Sequence, residues 1–550
     1  MPYEQVALPP LAGLNEDEDP TAIRPEQLRL ATNCARRGSL TGTRPGMNYD
    51  SEYSEAISGT PAVQGIYEHR DGRDDNRQLI VVAGGEAYYG LSDTLTKSSC
   101  TITSGAANLW SFASYQNLTW AAGGASGDSI WTWDGDTSGT PTATGRLSSL
   151  GIKPQYVFSK FNCLFLGGFL DGTDPWNNPL CARYPDYATD ATDAANWPTS
   201  NSIPGVLLGE NGGVGSFGTE YNTGFGSLQD SSGDYLCFLT NKRIVVYEQN
   251  PLPNGDADRF RLVKSIANGC VSQNAFVSLG FDQGDAVYIS ENGIHSAAMS
   301  NQYGDLVNLY LSWPIRKTWE TINRSMLKRF WGAYWPTEGI VLFGIATGSN
   351  TYLDTILCMD IRGASQITPD TVRWYRWKSA GGNLNVLAPA RDADGKPRIY
   401  VGTTAGRVGY IGRESYADFG TGYTVAFRNK DSDYGYPMTT KSCGDAFFVV
   451  SGSGTYEPKH QFVFDDGTIG GAINSITVSA SGFVLGVGGG VLGSTPLGGS
   501  ERISRERIPG TGSGHTISHK FTHSGNNEPF FIGQISHEVA AQGIAEEAAA

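Results

Sequence analysis

The stretch Leu79–Gly90, "LIVVAGGEAYYG", runs an apolar strand into a glycine pair and out into a second strand. Two relatives of it follow, "LTWAAGGASGDSIWTW" from Leu118 and "CLFLGGFLDG" from Cys163, which places the pairs at Gly84, Gly123 and Gly167, 39 and 44 residues apart. Glycine accepts the positive φ of a tight turn and allows close backbone approach where a Cβ would clash. A recurring strand, glycine pair and strand therefore predicts a repeated sheet unit.

The pattern continues in "YLCFLTNKRIVVYE" from Tyr235, "AVYISENGIHSA" from Ala286, "GIVLFGIATGSNTYLDTILCMDI" from Gly339 and "RIYVGTTAGRVGYIG" from Arg398. Each joins two short apolar runs through Gly, Asn or Thr-Asn, which is hairpin chemistry. Seven such hairpins lie between residues 56 and 415. Their spacing matches the 40–50 residues of a four-stranded blade or exceeds it, so the expected fold is all-β, a propeller of about six blades. Twelve tryptophans, six in each half, are read as packing between sheets, with any exposed subset free to stack on sugars.

Composition agrees. The chain has 550 residues, 71 of them glycine, and only 17% are charged, which favours short strands and tight turns. The formal charge of −15 argues against a protein that grips nucleic-acid phosphates, because that mode needs clustered Lys and Arg. Eight cysteines, without a C-x-x-C pair, suggest buried reduced thiols and neither a zinc cluster nor a disulfide scaffold. The start "MPYEQVALPP" lacks the features of a secretion signal and no run is apolar enough to span a bilayer, so the expectation is a protein made in a cytoplasm.

Three regions are expected: residues 1–55 as an N-terminal arm joining a platform, 56–415 as the propeller, and 416–550 as a C-terminal β platform with a frayed tail. One helix is expected in "WPIRKTWETINRSMLKRFW" from Trp313, where Ile315, Trp319, Ile322, Met326 and Phe330 recur at helical spacing. It would plug or cross between blades.

Searches for chemistry return little. His515, His519 and His523 are spaced for a helix but lie in an alternating strand pattern, where four residues span about 13 Å, too far for one metal ion. The acidic clusters, such as "DGRDDN" (71–76) and "DADGK" from Asp392, match no calcium loop, and there is no G-x-S-x-G or P-loop. No catalytic, metal or cofactor site is expected. Basic residues concentrate in "ARRGSLTGTRPG" (Arg36, Arg37, Arg44) and "SERISRERIPG" (Arg502, Arg505, Arg507), read as docking points for a partner or a neighbouring subunit.

Three patches carry a family likeness: "LPPLAGLNEDEDPTAIRPEQLRLATNCARRGSLTGTRPGM" (8–47), "RFRLVKSIANGCVSQNAFVSLGFDQGDAVYISENGIHSA" (259–297) and "HKFTHSGNNEPFFIGQISHEV" (519–539). In that order they resemble the tail nozzle, or tubular tail protein B, of short-tailed bacteriophages. The resemblance implies a non-enzymatic virion protein made in the bacterial host. Six copies would form a ring below the portal and its adaptor, hold tail fibres or tailspikes, retain the genome, and conduct DNA without sequence-specific binding. A ring of six would carry a formal −90, six times the −15 of one chain, which would repel phosphates from its lumen. The alternative is a carbohydrate-binding or carbohydrate-cleaving propeller that uses exposed tryptophans and an Asp/Glu pair.

Overall fold

The computed structural model describes residues 3–49, 57, 59–70, 77–92, 94–101, 104–123, 130–135, 153–169, 180–186, 189–198, 201–204, 220–230, 233–250, 259–280, 283–298, 310–392, 394–467, 469–479 and 502–542. The 71–76 acidic cluster, Trp176, most of the 471–499 glycine-rich hairpin and the alanine-rich tail lie outside them.

Seven small sheets follow one another along the chain, each of three or four strands. Their first strands are Val63–Arg70, Trp110–Tyr115, Tyr156–Lys160, Asn222–Asp230, Phe276–Ser278, Trp331–Trp335 and Leu384–Arg391. Each first strand packs beside the next, and the seventh packs against the first, closing a circle. Asn385 in the seventh donates to the Val63 carbonyl of the first at 2.6 Å across the seam. The fold is a β-propeller of seven blades, one more than the spacing alone suggests.

The seventh blade draws its fourth strand from the other end of the chain. Gly46–Asn48 pairs with Val408–Gly412, so the ring is latched by an early segment. A strand supplied this way removes a sheet edge that would otherwise be exposed.

The glycine pairs have separate physical reasons. Gly84 and Gly85, at φ +62° and +89°, form the two-residue turn between Ala83 and Glu86, the left-handed pair that a tight hairpin demands. A Cβ on Gly123 would lie 2.6 Å from the Leu109 carbonyl. On Gly167 it would lie 2.6 Å from the Phe225 ring of the following blade, so here glycine sets the spacing between blades.

Aromatic layers fill the gaps between blades. Trp110, Trp131 and Trp133 of the second blade pack with Ile80 and Val82 of the first, and Trp133 donates from its indole to Gln78 at 2.7 Å. Phe165 and Tyr184 of the third blade meet Phe225 and Phe260 of the fourth at 5.1–6.4 Å between ring centres. Such layers supply both buried area and edge-to-face contacts.

The expected helix is three short pieces: a 3-10 turn at Trp313–Ile315, one α-turn at Arg316–Glu320 and a second 3-10 segment at Arg324–Arg329. Asn323 ends the run, because its side chain caps Ser325 while its backbone donates to the Ala346 carbonyl. The apolar set Ile315, Trp319, Ile322, Met326 and Phe330 is nevertheless buried, so the periodicity found the buried face but not the break. The segment links the fifth and sixth blades.

The platform is two packed sheets. One orders Cys34–Arg37, Leu40–Thr43, Phe530–Ala541, Lys441–Gly452 and Arg502–Ile508, with Glu4–Leu8 added on Phe530–Ala541 and Ser513–Gly514 on Lys441–Gly452. The other orders Leu28–Thr32, Tyr423–Asn429, Ile517–Gly525, Lys459–Phe464 and Ile469–Ser475. Phe448 of the first sheet meets Phe521 of the second edge to face at 5.2 Å.

The second sheet does not stop at the platform. Thr32 pairs in parallel with Arg376 on the last strand of the sixth blade, making one nine-stranded sheet that crosses from propeller to platform. The N-terminal segment thus serves three bodies: both platform sheets, the sixth blade and the latch of the seventh.

Candidate docking surface and the arginine junction

The two arginine clusters come to opposite edges of one platform sheet. Arg36 and Arg37 lie on Cys34–Arg37 at one end of the strand order, and Arg502, Arg505 and Arg507 on Arg502–Ile508 at the other. They do not form a single basic patch.

At the second edge, Ile503, Arg505 and Arg507 point outward together because alternate residues of a strand share a face. Ile503 is 67% exposed. Arg505 lies opposite Val449 and Arg507 opposite Phe447, both half-buried, and Arg507 donates to Asp445 at 2.6 Å. Gln5, Gln534 and Ser536 continue the surface across the sheet. Among the described residues Arg502–Ile508 pairs on one side only, which leaves an edge whose outward charges discourage indiscriminate strand addition. Arg36 is half-buried and donates to the Gly38 carbonyl at 2.6 Å, while Arg37 sits 5.3 Å from the centre of the Phe531 ring.

Arg44 corrects the reading of these arginines as docking points. Its side chain is wholly buried and forks onto Asp418, itself wholly buried, at 3.0 and 2.6 Å. It also donates to the Lys378 carbonyl at 3.0 Å, the Pro45 carbonyl at 2.7 Å and the Asn33 side chain at 3.2 Å, and stacks 4.0 Å from the centre of the Tyr423 ring. Lys378 ends the sixth blade, Asp418 follows the seventh, and Tyr423 opens the second platform sheet. Arg44 is the junction at which arm, propeller and platform meet. The planar guanidinium, with five donors in a fixed fork, suits such a site.

Asn33 completes it. The residue has φ +52°, accepts the Lys378 backbone N–H at 2.6 Å and donates to the Thr424 carbonyl at 2.9 Å.

The three spaced histidines do not converge on one another. His515 is exposed, His523 pairs with Glu528 at 2.7 Å, and His519 is buried. His519 instead joins two histidines from other strands. Its Nδ1 is 3.1 Å from Nε2 of His460, and its ring centre 4.9 Å from that of His537. His537 in turn contacts the Cys443 Sγ at 3.1 Å and the Tyr434 hydroxyl at 3.0 Å. Burial holds all three in the neutral form, pushing His460 down to about 3, His537 to about 4 and His519 well below its ordinary value. Among the described residues no group of three or more His, Cys, Asp or Glu is placed to hold a metal ion.

Sequence reading missed this cluster because its members lie on strands Lys459–Phe464, Ile517–Gly525 and Phe530–Ala541, which only the sandwich brings together. The single signal was alternation: His519 keeps step with the buried residues Ile517 and Phe521.

The described tryptophans are buried except Trp313, 46% exposed with the Arg316 guanidinium 5.3 Å from its ring centre. Of the cysteines, Cys34, Cys163, Cys237, Cys270, Cys358 and Cys443 are buried free thiols and Cys181 is half-buried. Among the described residues no helix is long and apolar enough to cross a membrane.

No protein-family model and no curated protein matches the chain. Solved propeller structures are similar to it. YCF48 bound to D1 peptide shares 11% identity over 67% of this chain and 97% of its own, with a TM-score of 0.35. YCF48 from Cyanidioschyzon merolae shares 11% over 66% and 99%, with a TM-score of 0.37. BBS1N in complex with ARL6DN shares 9% over 68% and 98%, with a TM-score of 0.36. The likeness is one of architecture.

Proposed function

We propose that this chain is a structural virion protein, the tail nozzle subunit of a short-tailed bacteriophage, working as a homohexameric conduit below the portal and adaptor. The single observation that carries the reading beyond the sequence resemblance is mechanical. Propeller and platform share a nine-stranded sheet and are joined by the buried Arg44–Asp418 pair, an arrangement that opposes hinging between them. A conduit that holds a packed genome needs such a strut, whereas a binding module on a flexible linker does not.

In this reading the platform edges meet neighbouring copies. A ring requires heterologous contacts, one face of a subunit against a different face of the next, and the two ends of one sheet supply two different faces. Arg505 and Arg507, with Ile503 between sheet and solvent, are the residues proposed to dock, and Arg36 and Arg37 mark the opposite edge. DNA passes through the ring without base recognition, consistent with the acidic chain.

Mass spectrometry of purified virions, with the host cytosol as the reference, tests the assignment. A stoichiometric virion component, six copies per portal ring, is the expected result. A chain absent from particles, or one that releases reducing sugars from host glycan, would replace the conduit by the carbohydrate-cleaving alternative.

A further inference from the structure

A cavity of about 270 Å³ opens where the first strands of several blades begin. Its wall takes residues from the start of the second, third and fourth blades and from the segments just before the fifth and sixth, so it sits at the axial end of the propeller. In a chain of charge −15, the lining among the described residues contains two cations, Lys328 and Arg329, and no carboxylate.

Neither cation is neutralised. Among the described residues Lys328 and Arg329 make no ion pair; Lys328 instead lies 4.3 Å from the centre of the Tyr221 ring. Arg329 is half-buried and donates to uncharged acceptors, the Thr351 carbonyl at 3.1 Å, the Met326 sulfur at 3.8 Å and the side chain of Asn385. Its Nε is buried without a partner, and burial lowers its pKa. A guanidinium held this way lacks the counter-charge that usually accompanies a desolvated cation.

The neutral side chains of the wall are engaged elsewhere. Asn222 is 4% exposed, accepts the Gly224 N–H on its Oδ1 at 2.6 Å, and has its Nδ2 against Gly167. Gln273 is committed through its amide to Ser111 and the Val157 carbonyl.

We propose that this axial cavity is an anion site that takes a phosphate group, free or as a small phosphomonoester, held by Lys328 and Arg329. Two cations side by side in sequence on one wall suit a ligand with several acceptor oxygens, and charge-assisted bonds to such oxygens are the strong kind. The volume leaves room beyond a bare phosphate for a small organic body. The site is independent of any ring assembly, since one chain supplies every group.

Calorimetry on the intact chain tests it, with inorganic phosphate and glucose 6-phosphate as probes. Both probes, or one of them, should saturate at one per chain. Lys328→Gln, at an exposed side chain whose loss leaves folding intact by circular dichroism, should weaken binding about tenfold or more. Arg329→Gln should do the same, and Lys317→Gln, an exposed cation outside the cavity, should change nothing. Preference for one probe decides whether the natural ligand is free phosphate or an ester. Failure of both probes to saturate by about 10 mM, or equal weakening by Lys317→Gln, would overturn the site.

Discussion

The propeller and the platform solve the same packing problem with different side chains. Between blades the filling is aromatic and aliphatic, as in the Trp110, Trp131 and Trp133 layer, while buried titratable groups of the propeller, such as Asp285 and His295, sit within a blade. The platform core contains His460, His519 and His537, and beside them the buried Lys441, whose ammonium binds the carbonyls of Thr439 at 2.8 Å, His515 at 2.6 Å and Tyr436. Area stabilises the aromatic layers at any pH; the histidine core of the platform depends on which groups are charged. Arg44 lies between the two and belongs to both.

The comparison is broken most severely by removing that junction. Arg44→Met leaves the buried Asp418 carboxylate without its counter-charge, with, among the described residues, only the Ala380 N–H at 2.8 Å still donating to it, a change that costs about 3–5 kcal/mol. Chemical denaturation should then show platform and propeller unfolding in separate transitions. A single transition shifted by less than about 1 kcal/mol would mean that the pair does not hold the regions together.

Acid comes next. The histidines have folded pKa values below the ordinary 6.5, so their stabilising contribution is complete above pH 6.5 and is lost as pH falls toward about 4 and 3, where His537 and His460 titrate in the fold. Asp285, buried in the fifth blade, behaves oppositely. Burial raises its carboxyl from the ordinary 3.8 to about 6, so its contribution to the folded blade is complete below 3.8 and is lost as pH rises through about 6. Hydrogen exchange between pH 7 and 4 should open platform strands Lys459–Phe464 and Ile517–Gly525, which carry two of three clustered histidines, before the fifth blade, where His295 is held down to about 4, and His519→Phe should lessen the difference. Uniform opening of both regions would remove the distinction.

A smaller effect sharpens the propeller side. Gly167→Ala puts a methyl against Phe225, and overpacking of this kind costs about 1–3 kcal/mol. Thermal unfolding reports it directly. The smallest effect on stability is expected from Arg505→Glu with Arg507→Glu, within about 0.5 kcal/mol on an exposed edge. Yet the same pair should abolish assembly, and normal particles carrying it would exclude that edge from the interface.

Much of the propeller was legible because each hairpin is local. The turn at Gly84 and Gly85 and the strands beside it, Arg77–Ala83 and Glu86–Ser92, are contiguous in the chain, so alternation and turn chemistry suffice. The seventh blade was harder to count, since its last strand, Gly46–Asn48, lies more than 300 residues from its partner Val408–Gly412. Arg44 misled for the same reason. In "RRGSLTGTRPG" it resembles its half-buried neighbours Arg36 and Arg37, and only Asp418, 374 residues away, takes it fully into the interior. Likewise the three histidines converge through sheet order, which no local spacing encodes.

The central claim is that the two-part chain is one segment of a ring. Electron microscopy of the tagged protein, isolated from cells that make complete particles so that its partners accompany it, tests this most directly. The account predicts a six-fold ring with an axial hole, seated distal to the adaptor and portal. Single subunits without a channel, or density at the tip of a fibre, would contradict it.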